Sequence, residues 1–253
     1  MAVGATAAVL ERHLVMYRRL WRGSVFSSFV LPVLFLVSIG LGVGGHVGRV
    51  GGVGYLAWIT PGVLASAAFQ TAIGESTYAV MGDFRWVRSY HAMYAAPVRV
   101  GEMVAGRLLY VLLRVSVAAA VFLGVTALFG ALRSPWAVLS LPAVALVGLA
   151  AAAPVTAFAA TVEHDSYFAL LFRFVVIPSA LFSGVFFPVD QLPGPARVLA
   201  CLSPLWHGVE LSRAATLGVS PAWPVWAHVA CLLVWAAAGT AWAVSAFGAR
   251  LRD

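Results

Sequence analysis

The segment SGVFFPVDQLPGPARVLACLSPLWHGVELSRAATLG, Ser183 to Gly218, decides how this chain is organised. It lies between two long apolar runs, yet it holds Asp190, Arg197, Glu210, Arg213 and four prolines. It could be a soluble loop, a failed span, or a segment that sits partly in a bilayer. Ser203 can cap a helix that opens with Pro204 and stops before Gly218. That helix has about fourteen residues and a length of about 21 Å, too short for a hydrocarbon core of about 30 Å. Pro195 can open a second short helix through Leu202, while Pro188, Pro193 and Pro204 punctuate the stretch. Two short, half-apolar helices led in by Phe187 and carrying Trp206 suit a hairpin dipping into the outer leaflet. Asp190, Glu210 and Arg213 would then stay near water or protein. The sequence predicts a re-entrant outer cap over 188–222, not a span.

The surroundings support that reading. The chain has 253 residues, is 62% hydrophobic and only 10% charged, and has a mean hydropathy of +0.95. Soluble chains run about 45–50% apolar and about 25% charged, so this composition predicts a polytopic membrane protein. The net charge of +7 does not point to nucleic acid, because no basic stretch is free of apolar neighbours. All sixteen basic residues are arginine. Without lysine the chain has neither a Walker A lysine nor a lysine Schiff base. Cys201 and Cys231 stand thirty residues apart and suit packing rather than a bridge. None of the six histidines falls in a metal-ligand pattern.

Six segments have the roughly 20 apolar residues of a spanning helix: about 24–43, 54–82, 101–129, 137–161, 167–187 and 223–247. The second and third are overlong and must tilt or project. With the N-terminus inside, eleven arginines fall on inner segments and four (Arg49, Arg133, Arg197, Arg213) on outer ones. That bias puts both termini in the cytoplasm. The first run is retained as a span rather than read as a signal peptide, since no small-residue cleavage site follows it. The glycine-rich run Gly40–Gly54 reads as an outer loop.

Residues 7–22 are amphipathic. Leu10, His13, Leu14, Tyr17, Leu20 and Trp21 recur at helical spacing against Glu11, Arg12, Arg18, Arg19 and Arg22. This pattern predicts a helix lying in the inner interface, its arginines toward anionic headgroups. Between the second and third segments, 83–97 predicts a short cytoplasmic helix ended by Pro97. Phe84, Val87, Tyr90 or His91, and Tyr94 would form one face, with Arg85 and Arg88 on the other and Trp86 as an anchor. The same stretch also fits a capped loop, but aromatic and arginine side chains together are what interface anchors are made of.

The fold class predicted is therefore an all-α integral membrane protein. It has six transmembrane helices, an N-terminal in-plane helix, and a re-entrant outer hairpin before the last span. This pattern, with FSGVFFPVDQLP and SPLWHGVELSRAATLG as its most specific parts, resembles the ABC-2 type permease family over essentially the whole chain. YLAWITPGVLASAAF and AAPVRVGEMVAGRLL support it. It is most similar to the branch of daunorubicin-resistance and nodulation lipo-oligosaccharide export permeases. The resemblance implies a single transmembrane domain over 1–253, in the bacterial inner membrane. It implies no cofactor in this chain, with ATP and magnesium in separate ATPase subunits, and a second permease copy or paralogue as partner. It also implies that the helix around Phe84–Tyr94 couples the two kinds of subunit.

Four charges fall well inside the apolar segments: Glu75, Arg107, Arg114 and Arg173. A lone charge costs roughly 2.5–3.5 kcal/mol or more toward a bilayer centre, so partners are expected. Glu75 with Arg107 is the first pairing; separate snorkelling to the interface is the alternative. Arg114, two turns deeper, would face a polar pathway or bond a helix carbonyl. Two other functions compete with export. A membrane-embedded lipid-modifying enzyme would need clustered carboxylates or Ser/His pairs, and Glu163–Asp165 comes nearest but occupies a short turn. An ion-coupled secondary transporter would show inverted repeats, which this chain lacks.

Overall fold

Long Ala-, Val- and Leu-rich runs satisfy their backbone as helices, even where Pro61 and Pro154 fall inside them. The computed structural model describes residues 2–38, 42, 49–50 and 52–252. Helix α1 runs Ala2–Ser38. A two-residue antiparallel pair, Arg49–Val50 with Val53–Gly54, precedes α2 (Tyr55–Ser76) and α3 (Tyr78–Arg85). Then come α4 (Ser89–Ala95), α5 (Val100–Leu128), a short 3-10 turn at Pro135–Leu139 and α6 (Ser140–Thr161). Helices α7 (Ser166–Leu171) and α8 (Ile177–Phe182) are joined by a π-helical turn, Phe172–Val176. Helices α9 (Gly194–Leu202), α10 (Pro204–Leu217) and α11 (Val225–Arg250) complete the chain.

Four helical stretches among the described residues are long and apolar enough to cross a membrane: Tyr55–Arg85, Val100–Leu128, Pro135–Thr161 and Val225–Arg250. They correspond to the expected second, third, fourth and sixth segments. The other two expectations change. The in-plane helix and the first span form one helix, Ala2–Ser38, because only Gly23 weakens the junction and a single glycine costs a helix about 1 kcal/mol. Much of the Gly40–Gly54 run lies outside the described residues. The expected fifth span, 167–187, is only Ser166–Phe182, about 26 Å long, and ends where Gly184 turns into the left-handed region at φ 77°.

Helix α6 occupies the middle of the bundle. Val144, Val147, Ala150, Ala151, Ala153 and Ala157 are all buried, and α2, α5, α10 and α11 pack around them. Small side chains let the backbones approach closely, as between membrane helices generally. On the α11 side the backbones themselves come close: a Cβ on Gly239 would lie 2.6 Å from the nitrogen of Pro154. Helix α1 lies on α5, where Gly106 plays the same part: a Cβ there would meet Val9 Cγ1 at 2.6 Å. The bundle thus has two ends. One carries Glu75, Asp83, Arg107 and Arg250 and is called here the arginine-rich end; the other carries the α9–α10 hairpin.

Candidate coupling site

The arginine-rich end is built around an elbow between α3 and α4. The expected continuous helix over 83–97 is broken here. Trp86 and Val87 both donate backbone N–H to the Gly82 carbonyl (3.0 and 2.9 Å), which closes α3. Arg88 then takes a left-handed backbone, φ 53°, before α4 restarts at Ser89. For a residue with a Cβ that conformation costs about 1–3 kcal/mol and must be held by its surroundings.

The break sorts the expected docking residues into two sets. Phe84 and Tyr90, expected on an exposed face, are buried instead. They form a three-ring cluster with Phe247 of α11, at centroid separations of 4.7 to 4.9 Å. The hydrophobic gain of burying two large aromatics outweighs a regular helical stripe. Burial raises the phenol pKa of Tyr90, so it stays protonated. Arg85, Arg88, His91 and Tyr94 are exposed, and Trp86 and Val87 keep 68% and 62% of their surface open. Most of the Trp86 side chain thus stands outside the packed interior, between two exposed arginines.

Beside the elbow lies a cleft of about 750 Å³ between α3–α4, the α6–α7 turn and the end of α11. Arg85, Arg88 and His91 line one side; Glu163, Thr161 and Arg250 line the other. Arg250 belongs to the scaffold: its Nη1 donates to the Ala160 and Val162 carbonyls at 2.8 and 3.0 Å, and its guanidinium lies over the Phe84 ring. Arginine near a helix C-terminus suits the negative end of the dipole.

The intramembrane charges form a cluster a few turns away. Glu75 Oε1 pairs with Arg114 Nη2 at 3.0 Å, whereas Arg107 Nη2 stands 4.0 Å from Oε2. The expected Glu75–Arg107 pair is therefore the looser of two. Arg107 instead donates to the Glu75 carbonyl oxygen and is 3% exposed. Arg114 lies over the Tyr17 ring of α1 at 4.4 Å, so its depth is answered by a carboxylate and an aromatic face. Arg173 joins nothing here; it is exposed on the π-helical turn.

Other members of this end carry no sequence motif. Arg12 of α1 grips the Asp83 carboxylate at 2.7 and 3.4 Å, and Ser89 Oγ donates to Asp83 Oδ1 at 2.6 Å. His13 is buried with Nδ1 3.5 Å from Arg107 Nη1. Burial and the Arg107 charge hold its pKa down to about 3, so the ring is neutral.

At the opposite end the two short helices expected from Pro195 and Ser203 are present. Ser203 Oγ accepts from Leu205 N–H at 3.3 Å, and Gly218 closes α10 at φ 71°. Phe187 and Pro188 are half-buried and Asp190 is exposed, its carbonyl accepting from Arg197. Trp206 is buried, and Arg213 is buried over the Trp58 ring while bonding Glu210 and the Gly184 carbonyl. A pair that the sequence did not suggest sits beneath: His207 and His228 face each other with Nδ1 atoms 2.9 Å apart between Trp206 and Trp223. Burial and the neighbouring His228 lower the His207 pKa to about 4. Among the described residues no group of three or more His, Cys, Asp or Glu could hold a metal ion.

A helical bundle with four helices long and apolar enough to cross a membrane and a part-buried charged cluster between them is the architecture of a multi-pass membrane protein. The chain belongs to the ABC-2 type transporter family, whose pattern it matches over residues 5–217, and is a permease subunit of that class. Among its relatives is nodulation protein J of Rhizobium leguminosarum bv. trifolii, 32% identical over 228 residues, covering 90% of this chain and 87% of the relative. Nodulation protein J of Rhizobium meliloti (strain 1021) is 31% identical over 229 residues, with the same two coverages.

Proposed function

We propose that this chain exports an amphipathic or hydrophobic substrate (a drug, a lipid or a lipid-linked saccharide) with ATP and magnesium held by separate ATPase subunits. It works in the bacterial inner membrane beside a second permease copy or paralogue, crosses six times and keeps both termini in the cytoplasm. The second half of α1 supplies the first span, and Ser166–Phe182 supplies the fifth. The arginine bias counted in the sequence supports this orientation. Arg85 to Tyr94 is the docking elbow.

The observation that carries the reading is the elbow itself. Its strained turn holds Trp86 and Val87 out of the fold between Arg85 and Arg88. Replacing Trp86 and Arg88 together with alanine removes the outward side chains and leaves Phe84 and Tyr90 in place. The double variant inserts normally, but co-purification of the ATPase and ATP hydrolysis by the complex both fall. A single hot-spot truncation costs about 2 kcal/mol or more, so the joint effect on docking is at least about thirtyfold. Docking and hydrolysis equal to wild type would make the elbow a mere capped loop.

Topology is checked separately, in a background with Cys201 and Cys231 replaced. Cysteines placed at Arg133 and Gln191 react with impermeant maleimide from outside intact cells. One placed at Arg88 reacts only after the membrane is opened. Outside labelling at Arg88 would overturn the six-span orientation.

A further inference from the structure

Asp83 sits where three elements meet. Its carboxylate takes both Nη atoms of Arg12 from α1, at 2.7 and 3.4 Å, and the Ser89 hydroxyl of α4 at 2.6 Å. A two-pronged, charge-assisted grip of this kind fixes geometry as well as distance. It is sheltered, with the Arg12 and Asp83 side chains 27% and 11% exposed, so it is screened less than a surface pair. Arg12 is also one of a series. Val9, Arg12, His13 and Tyr17 follow helical spacing on α1, and each has its own seat. Val9 rests on Gly106, Arg12 grips Asp83, His13 faces Arg107, and the Tyr17 ring lies under Arg114. One stripe of α1 is thus keyed to α5 and to the elbow at successive turns.

The elbow needs such a support. Arg88 holds a left-handed backbone, and α4 starts without a side-chain cap from Arg88. The side-chain tie across the turn is Ser89 to Asp83, so the carboxylate that positions α4 is the one that Arg12 holds. We infer that Asp83 is the positioning residue of the coupling elbow and that Arg12 clasps it, so that α1 moves as one body with the elbow when the partner ATPase pushes on it. This rests on the docking role proposed for Arg85–Tyr94. It adds a second moving part, since a displaced α1 carries Tyr17 away from Arg114 and loosens the Glu75 cluster.

Hydrogen exchange on the purified full chain tests the clasp without the ATPase. Arg12→Gln removes the guanidinium 71 residues away from the elbow, and Asp83→Asn keeps an acceptor for Ser89 while removing the charge. Both variants speed exchange over 84–96 about tenfold, leave the α6 amides at 140–161 unchanged, and do not add up in the double variant. Arg12→Lys keeps the charge but cannot make the two-pronged grip, and its exchange over 84–96 falls between wild type and Arg12→Gln. Unchanged exchange at the elbow in Arg12→Gln would overturn the clasp, and so would acceleration spread equally over 140–161, which marks a general lesion. In the complex, Arg12→Gln retains the bound ATPase but lowers hydrolysis per bound subunit about threefold. Full hydrolysis in that variant would overturn the coupled movement of α1. A wild-type chain that recruits no ATPase, with the exchange results intact, would fail the docking proposal and leave the clasp standing.

Discussion

Replacing Glu75 with alanine is expected to destabilise the arginine-rich end more than any other single change to a charged residue there. The substitution leaves two guanidiniums without their carboxylate: Arg114, now paired at 3.0 Å, and Arg107, which is 3% exposed. Removing one partner of a buried pair typically costs about 3–5 kcal/mol, because the charge left behind is neither paired nor hydrated. Arg107 keeps its bond to the Glu75 backbone carbonyl, which the mutation does not touch, so Arg114 carries most of the loss. Thermal unfolding in detergent should fall by roughly 10 °C, at a few degrees per kcal/mol for a chain of this size. Glu75→Leu combined with Arg114→Leu should recover much of that, since two matched apolar side chains replace an ion pair at little cost. A midpoint for Glu75→Ala equal to wild type would mean that the cluster is hydrated and does not hold α2 to α5.

The parts of this fold that were legible in the sequence are those whose chemistry is local. Ser203, Pro204 and Gly218 announce α10 because a cap, a first-turn proline and a left-handed stop are each set by one residue. The four long crossing stretches are legible because length and apolarity are sums over a window. The elbow reads in the sequence as a continuous helix for a related reason. The left-handed position is Arg88, with no glycine or asparagine to signal it, so the helical spacing of Phe84, Val87 and Tyr94 runs unbroken across it in the sequence. Its cause is distant: Phe247 captures Phe84 and Tyr90, a contact that no nearby spacing reports. The same holds for Arg12 with Asp83 and for His207 with His228, which chain folding alone brings together. What the sequence did carry for Asp83 was a weak signal, an acid at the end of an apolar run facing an arginine-rich helix. Arg114 illustrates a third case. That it needs a partner follows from its depth; that the partner is Glu75 rather than a pathway follows only from the register of α5 against α2.

Arg213→Ala is the expected counterpart at the hairpin end. This arginine ties three pieces together: its Nη2 donates to the Gly184 carbonyl at 2.7 Å, its Nη1 to Glu210 Oε1 at 3.1 Å, and its guanidinium lies 4.0 Å from the Trp58 ring centroid on α2. Glu210 in turn accepts from the Ala222 N–H at 2.8 Å, which anchors the chain entering α11. Alanine would leave the Gly184 carbonyl and one carboxylate oxygen without partners and open a void beneath Trp58. Loss of a buried charged partner again predicts about 3–5 kcal/mol, an unfolding midpoint lower by roughly 10 °C, and early proteolysis between 184 and 193. Arg213→Lys separates charge from geometry. A lysine keeps the positive charge beside Glu210 but cannot reach the carbonyl and the carboxylate together, nor stack flat on the indole. It should therefore recover less than half of the loss. Recovery to wild type with lysine would show that Arg213 acts only as the counter-charge of Glu210. Gly184, Glu210 and Trp58 would then be held in place by the packing of α10 on α2 and α6.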